Sequence, residues 1–348
     1  METKLFMGCD IAQDTFAFCL RDHSKVVCQG EVSNSKKAIQ AWLKELKQVY
    51  HVDLTSVIFC LEHTGIYGMI LMRTLHTRSL IVCVEGASNI KLSLGLQRGK
   101  NDRVDARRIA EYAMRYTDRL KQWKPKREVL ERLQLLNGMR SRLVKALKVL
   151  KGHTKEAGRF LGKNEYMLLK KGTQESINAI ESNIDRADKS IEALIKSDEI
   201  LKRLSDLVTS VDSIGMVTCA AILVKTNEFQ DFREAKKFAC TSGLAPFEHS
   251  SGKSVRGKTR VSHRAHKDLK TLLHMCALGA IGRKGELHDF YERKVSQGKN
   301  KMSVINAVRN KLIHRIFGSP GWSYVSKKLS IQFGYVIENA QYECPRKS

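Results

Sequence analysis

The sequence predicts an α/β amino-terminal domain, a long helical middle and a mainly α-helical carboxy-terminal domain. Three observations lead there. Short runs rich in β-branched, aromatic and cysteine residues crowd the stretch from Leu5 to Glu31. Leucines and isoleucines at helical spacing fill residues 121–208. Further helical stretches then flank a segment dense in glycine and cations around Ser251. A chain of 348 residues is long enough for two or three domains, each with its own core.

In the first domain, residues 1–120, Leu5–Cys9, Thr15–Leu20 and Val26–Glu31 read as a three-stranded antiparallel meander, with turns at Ala12–Asp14 and Arg21–Ser24. A helix over Ser35–Tyr50 follows. Its Ile39, Trp42, Leu43, Leu46 and Val49 form one stripe, and Ser33 or Ser35 caps it. Val57–Leu61 is a fourth strand, Ile66–His76 a helix, Leu80–Val84 a fifth strand, Ser88–Leu94 a short helix and Arg103–Tyr116 another. Three strands before the first helix, then alternation, is the order of an RNase H-like fold; a Rossmann fold alternates from its first strand.

Residues 121–208 carry Leu130, Leu133, Leu136, Leu143, Leu147 and Leu150, then Ile177, Ile180, Ile184, Ile191, Leu194, Ile195 and Leu201. These spacings give long amphipathic helices: an antiparallel coiled-coil hairpin broken near Gly158–Gly172, or a plain helical bundle. Either spaces domains apart or pairs subunits. In the third domain, residues 209–318, Ser210–Leu223 bends at Gly215, Phe232–Ala239 is a helix, residues 243–258 read as a loop, and helices resume over Lys267–Arg283 and Lys301–Phe317. Residues 319–348 form a peripheral tail.

Lys and Arg number 61 against 36 Asp and Glu, a net charge of +25 spread through both halves of the chain. Such a balance calls for a polyanionic partner over extended surfaces, nucleic acid first. An anionic membrane ranks second, because no hydrophobic anchor or basic amphipathic helix with exposed aromatics stands out. No apolar run approaches the ~18 residues of a membrane span, and the amino terminus has no signal-peptide core. The nine cysteines include no CxxC pair and sit mostly in apolar runs, as reduced, buried residues of a cytoplasmic protein do. A zinc site is not expected: His263 and His266 fit one helical face but lack a third ligand nearby.

Four acids attract notice. Asp10 ends the first strand and Glu62 the fourth, and strands one and four are neighbours in an RNase H-like sheet. Asp102 and Asp105 share one face of a helical first turn. Carboxylates gathered in one small volume repel unless divalent cations neutralise them, and Mg²⁺ prefers such hard oxygen ligands. Two ions about 4 Å apart suit an in-line attack on phosphate. Taken singly, Asp102 and Asp105 are equally the first-turn acids that a helix dipole favours, and Glu62 a solvent-facing strand end.

Between His249 and Arg260 lie hydroxyls, glycines and the cations Lys253, Arg256, Lys258 and Arg260. Glycine admits close backbone approach and the cations neutralise phosphates, so the segment reads as a nucleic-acid backbone contact. A serine held there is also a candidate nucleophile, given a base and a stabilised leaving oxygen. Gly252-Lys253-Ser254 is not a nucleotide-binding P-loop, because Phe247 stands where that motif needs its first glycine.

Four blocks in order make the sequence resemble the DEDD transposases of the insertion-sequence-110 family, which include the Piv and MooV invertases. They are Met7-Gly-Cys-Asp-Ile-Ala-Gln-Asp-Thr-Phe16, Leu61-Glu-His-Thr-Gly-Ile-Tyr67, Lys100-Asn-Asp-Arg-Val-Asp-Ala-Arg-Arg-Ile-Ala110, and Phe238-Ala-Cys-Thr-Ser-Gly-Leu-Ala-Pro246 followed by Ser251-Gly252. The resemblance spans roughly residues 5 to 318. It implies a RuvC-like first domain with Asp10, Glu62, Asp102 and Asp105 as ligands of Mg²⁺, with Mn²⁺ as a substitute. It implies that Ser251 forms a covalent phosphoserine with DNA, although Ser250 is a rival where some relatives carry an acid. Donor and target double-stranded DNA and a structured bridge RNA are the implied partners. Dimers assembling to a tetramer, with the acids of one protomer meeting the serine of another, are the implied assembly.

Overall fold

The computed structural model describes residues 5–93, 101–232, 234–244, 247–251, 255–260 and 267–318, with 247–251 and 255–260 described by their backbone. Lys253, His263, His266 and the tail 319–348 lie outside the described residues. The chain packs as two units, Met1–Pro125 and Lys126–Ser348.

The first unit is built on a five-stranded sheet. Strands β1 (Leu5–Ile11), β2 (Thr15–Arg21) and β3 (Val26–Ser33) form the antiparallel meander. Strand β4 (Val57–Glu62) then runs parallel to β1, and β5 (Ile81–Glu85) parallel to β4, giving the order β3-β2-β1-β4-β5. That is the RNase H-like arrangement. Side-chain alternation sends Met7, Cys9, Phe16, Phe18, Leu20, Phe59 and Leu61 to one face. Helices α1 (Lys36–Gln48) and α2 (Met69–His76) cover it with Ile39, Trp42, Leu43, Leu46, Leu71 and Leu75. Ser35 is the cap of α1, its side chain accepting from the Ala38 amide at 3.3 Å.

The opposite face carries Phe6, Ile58, Cys60 and Cys83, packed on α3 (Ala87–Ser93) and α4 (Asp102–Arg115). Where α4 crosses β1 and β2 the contact is made of Ala17, Cys19, Ala106 and Ala110, all small. Gly8 completes this seam. A Cβ there would come closer than 3.0 Å to backbone atoms of Ala106 and Ala110, so only glycine admits the helix at this depth.

The second unit opens with α5 (Glu128–Ala157) and α6 (Lys163–Ser197). Arg140 pairs with Asp188 and Lys151 with Glu181, so the two helices run antiparallel. The break falls at residues 158–162, and Gly172 lies inside α6, which corrects the broader interruption expected there. A lone glycine costs a helix only about 1 kcal/mol, and the packing of a 35-residue helix outweighs that. Leu130 and Leu133 from the start of α5, and Ile191 and Ile195 from the end of α6, enter one core with α7 (Glu199–Thr209), α8 (Met216–Thr226), α9 (Ala235–Thr241), α10 (Lys267–Ile281) and α12 (Lys301–Gly318). Helix α11 (Glu286–Ser296) was not expected; Leu287 is its one buried residue, too little for a visible stripe. A second correction concerns residues 243–258. They hold the antiparallel pair β6 (Phe247–Ser251) and β7 (Val255–Arg260), not a loop. Glycines and cations at 252–260 mask the apolar alternation by which a strand is recognised.

A charge cluster pins the helix ends of this unit. Arg127, just before α5, donates to both oxygens of Asp198, at 2.9 and 2.8 Å, and to Glu228, at 3.1 Å from Nε. Asp198 also caps α7 by accepting from the Leu201 amide at 2.9 Å. Glu228 is fully buried, and Asn227, Glu228 and Phe229 take left-handed backbone (φ 51°, 55° and 63°) that turns it under the guanidinium. The Arg127 bonds hold the Asp198 carboxyl below its usual value. A lowered carboxylate stabilises above its unfolded pKa of about 4 and loses that contribution as pH falls through the folded value. The thermal midpoint should therefore fall on acidification below about pH 4 more steeply in the native chain than in Asp198→Asn, as read by calorimetry.

Candidate metal centre

Strand register places the acids. Cys9 pairs with Leu61, so Asp10 and Glu62 follow side by side on β1 and β4, on the face that α4 covers. Asp10 faces Ala17 across β2, and Ala17 faces Glu31 across β3. Glu31, Ala17, Asp10 and Glu62 thus form one lateral row, with adjacent strands about 4.8 Å apart. Glu85, paired with Glu62, extends the row, but its carboxylate binds Asn89 Nδ2 at 3.2 Å and the Tyr112 hydroxyl. Burial and Glu85 push that hydroxyl up to about 12.

Helix α4 supplies the other pair. Asn101 caps it, accepting from the Arg103 amide at 3.0 Å, and so fixes Asp102 and Asp105 in the first turn. Asp102 precedes Ala106 by four residues and Asp105 precedes Ile109 by four, so both continue the stripes that pack on the sheet. One cleft of about 320 Å³ is lined by Asp10, Glu62, Asp102 and Asp105, together with Glu31, Thr15 and Ala17. Ala17, between Asp10 and Glu31 in the row, is a small side chain in the cleft wall. Asp105 Oδ1 also pairs with Arg108 Nη1 at 2.8 Å. Below the cleft, burial and then the charge of Asp10 push the Cys9 thiol far up, so it stays neutral.

Asn34 ties the cleft's edges. It is 9% exposed, and its Nδ2 donates to the carbonyls of Ala12 (3.1 Å) and Gln13 (3.4 Å), after Asp10, and of Tyr67 (3.0 Å), after Glu62. Glu31 and Asn34 were missed in the sequence. Glu31 looks like an ordinary strand-end acid until its partner Ala17 is known, and nothing local marks Asn34.

The donor set is carboxylate oxygen throughout, which fits Mg²⁺ or Mn²⁺ and not a soft metal. Among the described residues no group of three His, Cys, Asp or Glu side chains is arranged to hold an ion as it stands. The cysteines described are unpaired, and Cys9, Cys19, Cys28, Cys60, Cys83, Cys219 and Cys276 are buried. Among the same residues no helix is long and apolar enough to cross a membrane. Ser251 lies at the end of β6, its backbone paired with Val255, and Arg256 opposes Ser250; Lys258 and Arg260 lie further along β7.

Two family models match the chain. One described as "Transposase" covers residues 7–157, and one described as "Transposase IS116/IS110/IS902 family" covers residues 205–292. The pilin gene-inverting protein of Moraxella lacunata is 26% identical over 317 residues, spanning 89% of this chain and 94% of that protein. The transposase for insertion sequence element IS1111A of Coxiella burnetii is 25% identical over 203 residues, spanning 51% of this chain and 54% of that protein. Among solved structures, T. thermophilus RuvC in complex with a Holliday junction substrate overlays 34% of this chain on 99% of that one, at 10% identity and a TM-score of 0.27. The RNase H-like assignment therefore rests on strand order and register. The first model covers all four acids of the cleft and the second covers Ser251, and on these matches the chain belongs to the IS110 family of transposases.

Proposed function

We propose that the chain cuts and rejoins DNA through a phosphoserine intermediate, using the acidic cleft of its first unit and Ser251 of its second. The observation that carries this reading is the convergence of Asp10, Glu62, Asp102 and Asp105, from three separate elements, on one cleft. Those four residues would hold Mg²⁺, one ion or two. Such ions supply Lewis-acid stabilisation of charge on phosphate and leaving oxygens. Side-chain rotation and release of Asp105 from Arg108 are what gathering them requires.

Ser251 Oγ loses its proton and attacks phosphorus. The Oγ–P bond forms as the bond to the 3′ oxygen breaks, and that oxygen takes up a proton. A 3′ hydroxyl of the partner strand then attacks the phosphoserine, and Oγ is released. One phosphodiester is exchanged for another through an ester of similar energy, so no nucleotide is consumed. Lys253, Arg256, Lys258 and Arg260 would set the backbone phosphates. A bridge RNA pairing with donor and target DNA, and a tetramer joined through α5 and α6 as a coiled coil, complete the proposal.

A denaturing gel tests it. The native chain with Mg²⁺ and cognate DNA should give a covalent protein–DNA adduct, which Ser251→Ala should abolish. An adduct persisting in that variant removes Ser251 and leaves Ser250 to be tried. Cleavage without any adduct means that water is the nucleophile, as in a junction-resolving nuclease.

A further inference from the structure

Helices α10 and α12 pack on one another in the second unit, and each carries a basic side chain with a buried, unpartnered nitrogen. Arg309 of α12 is 6% exposed, with Val308 and Leu312 of the same helix fully buried. A guanidinium at that depth ordinarily lies against a carboxylate, as Arg127 does in the same unit. Among the described residues Arg309 has neither an ion pair nor a hydrogen bond, and its Nε is buried without a partner. His274 of α10 repeats the pattern: its Nδ1 is buried and unpartnered too. The two groups sense each other, since burial first, and then the Arg309 charge, push the His274 pKa down. His274 is therefore a neutral imidazole at pH 7, able to donate one hydrogen bond without adding charge.

The surroundings say what is missing. One turn before Arg309, Asn306 donates to the Leu244 carbonyl at 2.8 Å, and Leu244 lies just ahead of β6. The unpaired cation thus stands one helical turn from the anchor of the segment that carries Ser251, Arg256, Lys258 and Arg260. A carboxylate of this chain is not supplied by the described residues. A phosphodiester brings one negative charge and two free oxygens, which match the fork of Nε and Nη and leave room for an imidazole donor.

We propose that Arg309 and His274 form a receptor for a single backbone phosphate of nucleic acid, beside the anchor of the serine-bearing strands. This site is independent of the acidic cleft, and its test is run in EDTA so that failure of one reading leaves the other standing. Binding of the full chain to duplex DNA and to single-stranded RNA is measured across a salt series. One lost phosphate contact lowers the slope of log K against log salt by about 0.9 for duplex DNA or about 0.7 for a single strand. Arg309→Met should show that loss on whichever nucleic acid supplies the phosphate. Without nucleic acid the same variant should melt higher than the native chain, because a buried unpaired charge is gone. Inorganic phosphate, compared with chloride at matched ionic strength, should raise the native midpoint and leave that of Arg309→Met unmoved. This comparison also decides the matter if the methionine chain does not fold, since the native protein alone must respond. Unchanged slopes on both nucleic acids overturn the proposal, as does a native midpoint indifferent to phosphate.

Discussion

Asp10→Asn should lower DNA strand cleavage about a thousandfold, equivalent to about 4 kcal/mol of transition-state stabilisation, with little loss of DNA affinity. The substitution keeps the shape of the side chain and removes one negative charge from the centre of the lateral row. Asp10 has Glu62 beside it and Glu31 two strands away, with Asp102 and Asp105 on the same cleft. If the cleft holds Mg²⁺ as proposed, removing its charge takes away a ligand, so chemistry should suffer. It also relieves repulsion among the remaining acids, so in EDTA the variant should melt slightly higher than the native chain. Single-turnover cleavage, fluorescence anisotropy and a thermal melt read the three quantities separately. Cleavage within tenfold of native would end the metal assignment. A lower melting point in EDTA would show that Asp10 is chiefly structural.

Gly8→Ala should destabilise the first unit by about 3 kcal/mol and lower its melting point by about 10 °C. The added methyl meets the Ala106 carbonyl oxygen and the Ala110 amide, which are backbone atoms. No side chain of α4 can be trimmed to make room, so the helix must rise from the sheet. Asp102 and Asp105 ride on its first turn, and an ångström of displacement is enough to cost a hundredfold in rate. Cleavage should therefore fall further than the loss of folded protein explains. Measured at a temperature where the variant is fully folded, native activity would refute the coupling between the seam and the cleft.

Much of the first unit was legible because its signals are local. The apolar, aromatic and cysteine-rich runs of Leu5–Ile11 and Thr15–Arg21, the Ser35 cap and the stripe from Ile39 to Leu46 each speak for themselves. Asp10 stood out as a charge at the end of an apolar strand. The remainder depends on partners distant in sequence. Glu31 enters the cleft only through its register with Ala17, and Asn34 matters only because the Tyr67 carbonyl comes to meet it. Strands β6 and β7 lack apolar alternation, and α11 buries too little to print a stripe. Ser251 was distinguished by resemblance alone, since a serine among glycines and cations is chemically unremarkable in isolation.

The row from Glu31 to Glu62 has a consequence for how this gene can drift. Strand pairing has a period of two, so deleting or inserting one codon within β1, β2 or β3 exchanges inward and outward positions from that point to the strand's end. Asp10 would then change places with Cys9 or Ile11, and a carboxylate would point into the packing of Trp42. Length is thus as constrained as residue identity in these strands, and a scan of single-codon deletions within β1, β2 and β3 should find almost none tolerated.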